Sequence, residues 1–167
     1  MADNNSTDDA ARAPTPNARL IAYHVAEYIL RSAETISQAF EHDYETAILF
    51  MAISNRNAQF AMEDPELRQR YASYSDPIPT EIATPISRMA LARSTGLPRE
   101  TVRRKVGKLI KKGWVIETKD GLRADYDLTK DPLYVQVIMS MAPNLRRLFT
   151  GLVSAGALGI LQNPPAT

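Results

Sequence analysis

Cysteine is absent from the 167 residues, which excludes disulfides, thiolate nucleophiles and cysteine-ligated zinc or iron-sulfur centres. Histidine is scarce. His24 and His42 stand 18 residues apart without a companion ligand cluster, so both are read as surface or packing residues, and neither a metal nor a cofactor is expected. No phosphate-cradling glycine loop and no nucleophile elbow occurs, so the chain is not expected to be an enzyme. Long apolar runs are missing as well. The charge-free stretch 148–161 is 14 residues long and holds three glycines, short of the ~20 apolar residues that span a bilayer. The chain does not open on a basic segment followed by an apolar run, so no secretory signal is expected, and a cytoplasmic setting is.

A strong excess of charge is also lacking, since the net charge is only +1. That balance conceals a segregation. Residues 99–112 hold seven basic side chains (Arg99, Arg103, Arg104, Lys105, Lys108, Lys111, Lys112) against one acid, Glu100, leaving 13 basic and 18 acidic residues elsewhere. A basic segment on an acidic body orients a protein on a polyanion, although a solvated helix face would read the same way in isolation.

The neighbourhood of that segment decides between the two. Residues 87–95 predict a short helix with Met89, Leu91 and Ala92 buried. Gly96 suits the φ > 0 of a sharp corner, and Pro98 presets the start of a second helix. That helix, 98–112, puts Val102, Val106, Leu109 and Ile110 on one side at 100° per residue. Arg104 lies nearly opposite, beside Glu100, Thr101, Gly107 and Lys108, with Arg103 on the flank. Residues 114–117 and 122–128 are β-rich around Asp120-Gly121, a favoured two-residue hairpin turn flanked by Lys119 and Arg123. Helix, corner, basic helix and hairpin follow in the order of a DNA-reading winged helix.

The run Leu91-Ala92-Arg93-Ser94-Thr95-Gly96-Leu97-Pro98-Arg99-Glu100-Thr101-Val102, followed by Leu109-Ile110-Lys111-Lys112-Gly113-Trp114-Val115, resembles the bacterial winged-helix regulators in the broad sense that includes the MarR, IclR and GntR families. The resemblance covers about a quarter of the chain and implies a dimer that reads two half-sites about one DNA turn apart, roughly 34 to 36 Å.

Around this unit the expected architecture is mainly α: a winged helix-turn-helix domain with a small antiparallel β-wing and helical extensions at both ends. Residues 1–17 read as a disordered acidic tail. A helix over 18–42 carries Ala22, Ala26, Ile29, Ala33, Ile36 and Phe40 at heptad-like spacing, a seam that fits either a second subunit or the same chain's domain. The winged domain is placed at 43–130. Its first helix, 43–62, is expected to bury Tyr44, Ile48, Met51 and Ile53. An insertion near 63–85 departs from the compact pattern: Asp64-Pro65 predicts a capped helix through Tyr74, and a proline-rich stretch ends in a brief strand near 82–85. A C-terminal helical region over 131–161, broken or kinked at Pro143, is expected to share in dimerisation, and 162–167 is a tail.

The function expected from these residues is sequence-specific duplex DNA binding in transcriptional control. Arg103 and Arg104 are the candidates for base contact. Arg99 and Lys108 are assigned to phosphate or base edges, Lys119 and Arg123 to the backbone or minor groove. Thr101 lines the same face, and Glu100 either accepts from a cytosine amine or pairs with Arg104. A winged-helix protein-interaction module, or a plasmid or phage replication initiator or partition factor, would look the same in sequence. Asp125 and Asp127 share one side of the last hairpin strand and are read as solvated or paired with nearby bases. Tyr23, Tyr28, Met139, Met141, Phe149 and the glycines near 151–159 suggest an apolar effector pocket or plain core packing.

Overall fold

The computed structural model describes residues 17–73, 76, 78–79, 81–125 and 131–157, and it is mainly helical with one small antiparallel sheet. The expected tails 1–17 and 162–167 lie outside the described residues except for Asn17, whose carbonyl accepts from the Leu20 and Ile21 amides at the start of α1. The order is α1 (Ala18–Gln38), α2 (Tyr44–Glu63), α3 (Pro65–Arg70), α4 (Arg88–Thr95), α5 (Arg99–Lys111), β1 (Val115–Thr118), β2 (Gly121–Ala124) and α6 (Pro132–Ser154). Contacts divide the chain into a main unit, 33–139, and a second unit made of 1–32 with 140–167.

Local chemistry sets most helix ends of the main unit. Asp43 caps α2 by accepting the Thr46 amide at 3.2 Å, and Asp64 caps α3 by accepting from the amides of Glu66 and Leu67, both at 2.9 Å. The α3 helix stops at Arg70 instead of continuing to Tyr74. Ser87 caps α4, and Gly96 ends it at φ 70°. After α5, Gly113 donates to Ile110 and Trp114 to Leu109, both at 3.0 Å, the paired closure that turns a helix sharply into the next strand.

Leu49, Phe50 and Ile53 of α2 pack in one core with Leu91, Val102, Val106, Leu109, Trp114, Val115 and Leu122. Two expectations fail here. Met89 is exposed, and of the four α2 residues assigned to the core only Ile53 is buried; Tyr44, Ile48 and Met51 face out. The α2 sequence carries two apolar stripes, and periodicity alone does not say which one the rest of the chain covers. Rings of Phe40, Phe50 and Trp114 stack with centroids 5.0 to 5.6 Å apart, and Tyr134 of α6 meets Phe50 edge-on at 6.1 Å. Such pairs stabilise by about 0.5 to 1.5 kcal/mol each beyond their area.

The hairpin register pairs Val115 with Ala124 and Thr118 with Gly121, so the two-residue turn is Lys119-Asp120, one position earlier than expected. Gly121 lies within the strand at φ 137°, and a Cβ there would stand 2.8 Å from the Ile86 carbonyl oxygen. That close approach lets Ile86 exchange backbone bonds with Leu122, at 2.8 and 3.2 Å. The short strand expected near 82–85 is therefore this single bridge residue. Asn57 of α2, fully buried, ties the same region together: its Nδ2 donates to the carbonyls of Thr84 (2.7 Å) and Leu122 (3.3 Å), and its Oδ1 accepts the Ala124 amide at 2.7 Å. Asp127 lies outside the described residues.

In the second unit, Asn17 donates to the Ala155 carbonyl at 3.0 Å, and the His24 ring lies against Gly151, where a Cβ would come within 2.4 Å of its Nδ1. Of the two outcomes expected at Pro143, a break does not occur: α6 runs on through it as one helix. Gly156, at φ 70°, closes the helix well before residue 161. The seam expected on α1 divides between the units. Ile36 and Phe40 are buried in the main one, whereas Ala22, Ala26 and Ile29 are exposed.

Candidate nucleic-acid interface

The Gly96-Leu97-Pro98 corner launches α5 with Val102, Val106 and Leu109 buried, which leaves its opposite face to solvent. Glu100, Arg103, Arg104, Gly107, Lys108 and Lys111 are all exposed there, Thr101 is half-buried at the edge, and Arg99 is exposed at the helix start on the side nearer Val102. Gly107 sits in the middle of this face with open space where a Cβ would be. The result is a flat strip bordered by arginines.

The seven basic residues of 99–112 do not act as one patch. Lys105 is buried, its ammonium held by Asp43 and, at 3.2 Å, by Glu45. Lys108 is exposed but turns back to Asp43 Oδ2 at 3.3 Å. Lys112 places its ammonium 4.0 Å from the Trp114 ring centroid and donates to the Ala39 carbonyl at 3.3 Å. These three lysines lie on the flank of α5 and anchor it to the body. Arg103, Arg104 and Lys111 remain on the outer face, with Arg99 exposed at the helix start. Lys111 was not among the residues expected from sequence, although the same 100° count puts it between Glu100 and Arg104.

Glu100 is bonded to Arg103, not to Arg104. Arg103 Nε donates to Oε2 at 2.8 Å and Nη2 to Oε1 at 2.6 Å, on exposed side chains. These bonds hold the Glu100 carboxyl below its usual range and raise the Arg103 guanidinium. Arg104 makes no hydrogen bond or ion pair among the described residues. For Asp43, burial pushes the carboxyl up, but bonds from Lys105, Thr46 and Lys108 outweigh it and hold the group well below the carboxylate range.

Lys119 stands exposed in the hairpin turn. Arg123 is the third residue of β2. It is half-buried on β2, across from Ile116, with its Nε buried and unbonded. The hairpin is instead fastened to α4 by Arg88, whose guanidinium clasps the Glu117 carboxylate through two nitrogens, Nη2 to Oε2 at 3.0 Å; nothing in the local sequence pairs these two, 29 residues apart.

No family model, curated protein or solved structure matches this chain. An open groove of about 590 Å³ lies beside it, lined by Phe40, His42, Asp43, Tyr44, Lys105 and Lys112 among others. Charged and apolar side chains share its walls, and none of the residues expected to line an effector pocket contributes to it; of those, Tyr23, Met139 and Phe149 are exposed. No described helix is long and apolar enough to cross a membrane.

Proposed function

We propose that this chain is a winged helix-turn-helix regulator that binds double-stranded DNA sequence-specifically as a homodimer, with α5 in the major groove and the β1–β2 hairpin as the wing on the backbone or minor groove. The observation that carries this reading is the outer face of α5: three basic side chains, Arg103, Arg104 and Lys111, share it with a glycine on a helix that enters straight from a tight corner. Major-groove docking requires a helix with one face free, a basic N-terminal half and no bulk where the groove wall approaches. Arg104, which makes no hydrogen bond or ion pair among the described residues, is the candidate for bidentate contact with guanine N7 and O6. Arg103 reaches a neighbouring base edge with Glu100 fixing its direction. Arg99, Lys111 and Lys119 meet phosphates, and Lys108 exchanges Asp43 for a phosphate on docking. Arg123 supports the wing from within. Transcriptional control in the cytoplasm, without catalysis or cofactor, follows from such binding, and an effector that binds the DNA-competent dimer with different affinity would regulate it.

Selection from a pool of random duplexes tests the reading. An enriched motif with an inverted repeat of half-sites one helical turn apart is expected, with affinity falling steeply as salt rises. A selection that enriches nothing, with affinity indifferent to salt, would overturn it.

A further inference from the structure

The outer face of α5 carries one acidic side chain, and it stands near the centre. At 100° per residue Glu100 lies within about 40° of Arg104, Gly107 and Lys111, while Arg103 stands about 60° to one side. A bare carboxylate there would be driven off by the phosphates of a duplex as the helix docked. Glu100 is not bare. Arg103 meets it along one side of the guanidinium, through Nε at 2.8 Å and Nη2 at 2.6 Å. That contact leaves Nη1 with both of its hydrogens and Nη2 with one, and among the described residues no other group bonds them. The remaining N–H groups form the end edge of the guanidinium, a parallel donor pair aimed away from the side chain. Each carboxylate oxygen keeps a lone pair as well.

We infer that Glu100 and Arg103 act as one unit that reads a single G·C pair, Arg103 donating from Nη1 to guanine N7 and from Nη2 to O6, with Glu100 facing the cytosine N4 amine. The inference rests on the DNA reading proposed above and names the base pair. Charge fixes the direction. With Nη2 on O6 the carboxylate turns toward the cytosine, whereas Nη2 on N7 would turn it toward the phosphates of the guanine strand. In a planar arrangement the carboxylate stands back from the amine by the width of a water molecule, which bridges the two.

The major-groove code selects the same pair. Two adjacent donors call for two adjacent acceptors on one base, which only guanine presents there. An A·T pair sets the adenine N6 amine against the second donor, and thymine O4 stands where Glu100 calls for a donor. In water so exposed a pair adds little to stability. Between groove walls, where water is displaced, the same bonds strengthen. Because the two charges cancel, the unit adds specificity without adding to the salt-dependent attraction.

The test uses the full chain and the duplex recovered by the selection. Each G·C pair of a half-site is replaced in turn by 7-deazaguanine·C, which lacks N7, by A·T, and by inosine·C, which loses only the minor-groove amine. At one pair the first two replacements are expected to weaken binding about tenfold, while inosine changes nothing. In Arg103→Gln that penalty should vanish, in Glu100→Gln shrink several-fold, and in Arg104→Ala persist. The double variant Glu100→Gln with Arg103→Gln keeps the net charge, and it should lose the preference with salt slope, circular dichroism and melting unchanged. A penalty that survives Glu100→Gln at full size, or an Arg103-dependent pair other than G·C, would overturn the composite reading and leave DNA binding standing. A selection that enriches no motif would overturn the DNA reading and this inference with it.

Discussion

The Asp43 carboxylate that caps α2 holds the buried ammonium of Lys105, 62 residues further along the chain on the flank of α5. One side chain therefore starts one helix and fixes the rotation of another. That rotation decides which α5 residues face out, so the cap of α2 and the candidate DNA-reading face are mechanically one device.

Replacing Asp43 by Asn preserves an N-cap but removes the charge. Because Glu45 stays 3.2 Å from Lys105, the loss is expected to be about 1 to 3 kcal/mol at pH 7, below the 3 to 5 typical of a fully buried pair. The sign with pH follows from the direction of the shift. The folded carboxyl titrates below the unfolded value of about 3.9, so its contribution is complete above roughly pH 5 and declines as pH falls through 4 and beyond. Urea denaturation of both proteins at pH 7 and pH 3 should show the gap between them narrowing at the lower pH; a constant gap would count against the ion pair.

Asn57→Leu should destabilise by about 2 to 5 kcal/mol, because it leaves the Ala124 amide and the Thr84 carbonyl, each bonded at 2.7 Å, buried without those partners. Chemical denaturation measures the loss, and hydrogen exchange at Ala124 should accelerate with it.

How far these features could be read in advance depends on sequence separation. The α4–α5 corner and the core stripe of α5 were legible because Gly96, Pro98 and the Val102-Val106-Leu109 spacing act within a few residues of one another. Asn57 was not, since its partners lie 27 to 67 residues away and a lone asparagine in a helix carries no local mark of them. Lys105 read as surface charge for the same reason. The α2 stripes were legible as apolar but not as inside or outside, a choice made by helices elsewhere in the chain. On the reading face, local angles placed Arg103, Arg104 and Gly107 outward correctly, while the bond of Glu100 to Arg103 depended on side-chain rotamers that spacing leaves open.

Glu100→Gln should free Arg103 from its bidentate partner. If the face meets DNA with Glu100 aiming Arg103 at a base edge, preference at that base pair should relax, while the loss of one negative charge beside the duplex should raise affinity for all sequences modestly. Arg104→Ala should instead cost about 1 to 3 kcal/mol at one base pair and relax preference there alone. Titrations over a salt series with the selected duplex and single-position variants separate the two. Equal effects on all sequences for Arg104→Ala would remove it from base readout.

Gly107→Ala sets stability and binding against each other. Glycine within a helix is less favourable than alanine by about 0.8 to 1.0 kcal/mol, and at position 107 a Cβ meets nothing within 4 Å, so the substitution should raise the melting temperature by a few degrees. A buried or tightly packed glycine would behave in the opposite way. On the proposed function, the glycine serves the contact with DNA. On a helix seated in a major groove, a methyl group added at the centre of the contact face holds the backbone away from the groove wall, and larger side chains do so more strongly. Alanine is therefore expected to weaken specific binding several-fold and Gly107→Leu to abolish it, while both proteins remain folded. Calorimetry together with duplex titration gives both quantities on one sample. A Gly107→Leu variant that still binds the selected duplex with full affinity would show that this face of α5 does not enter the groove.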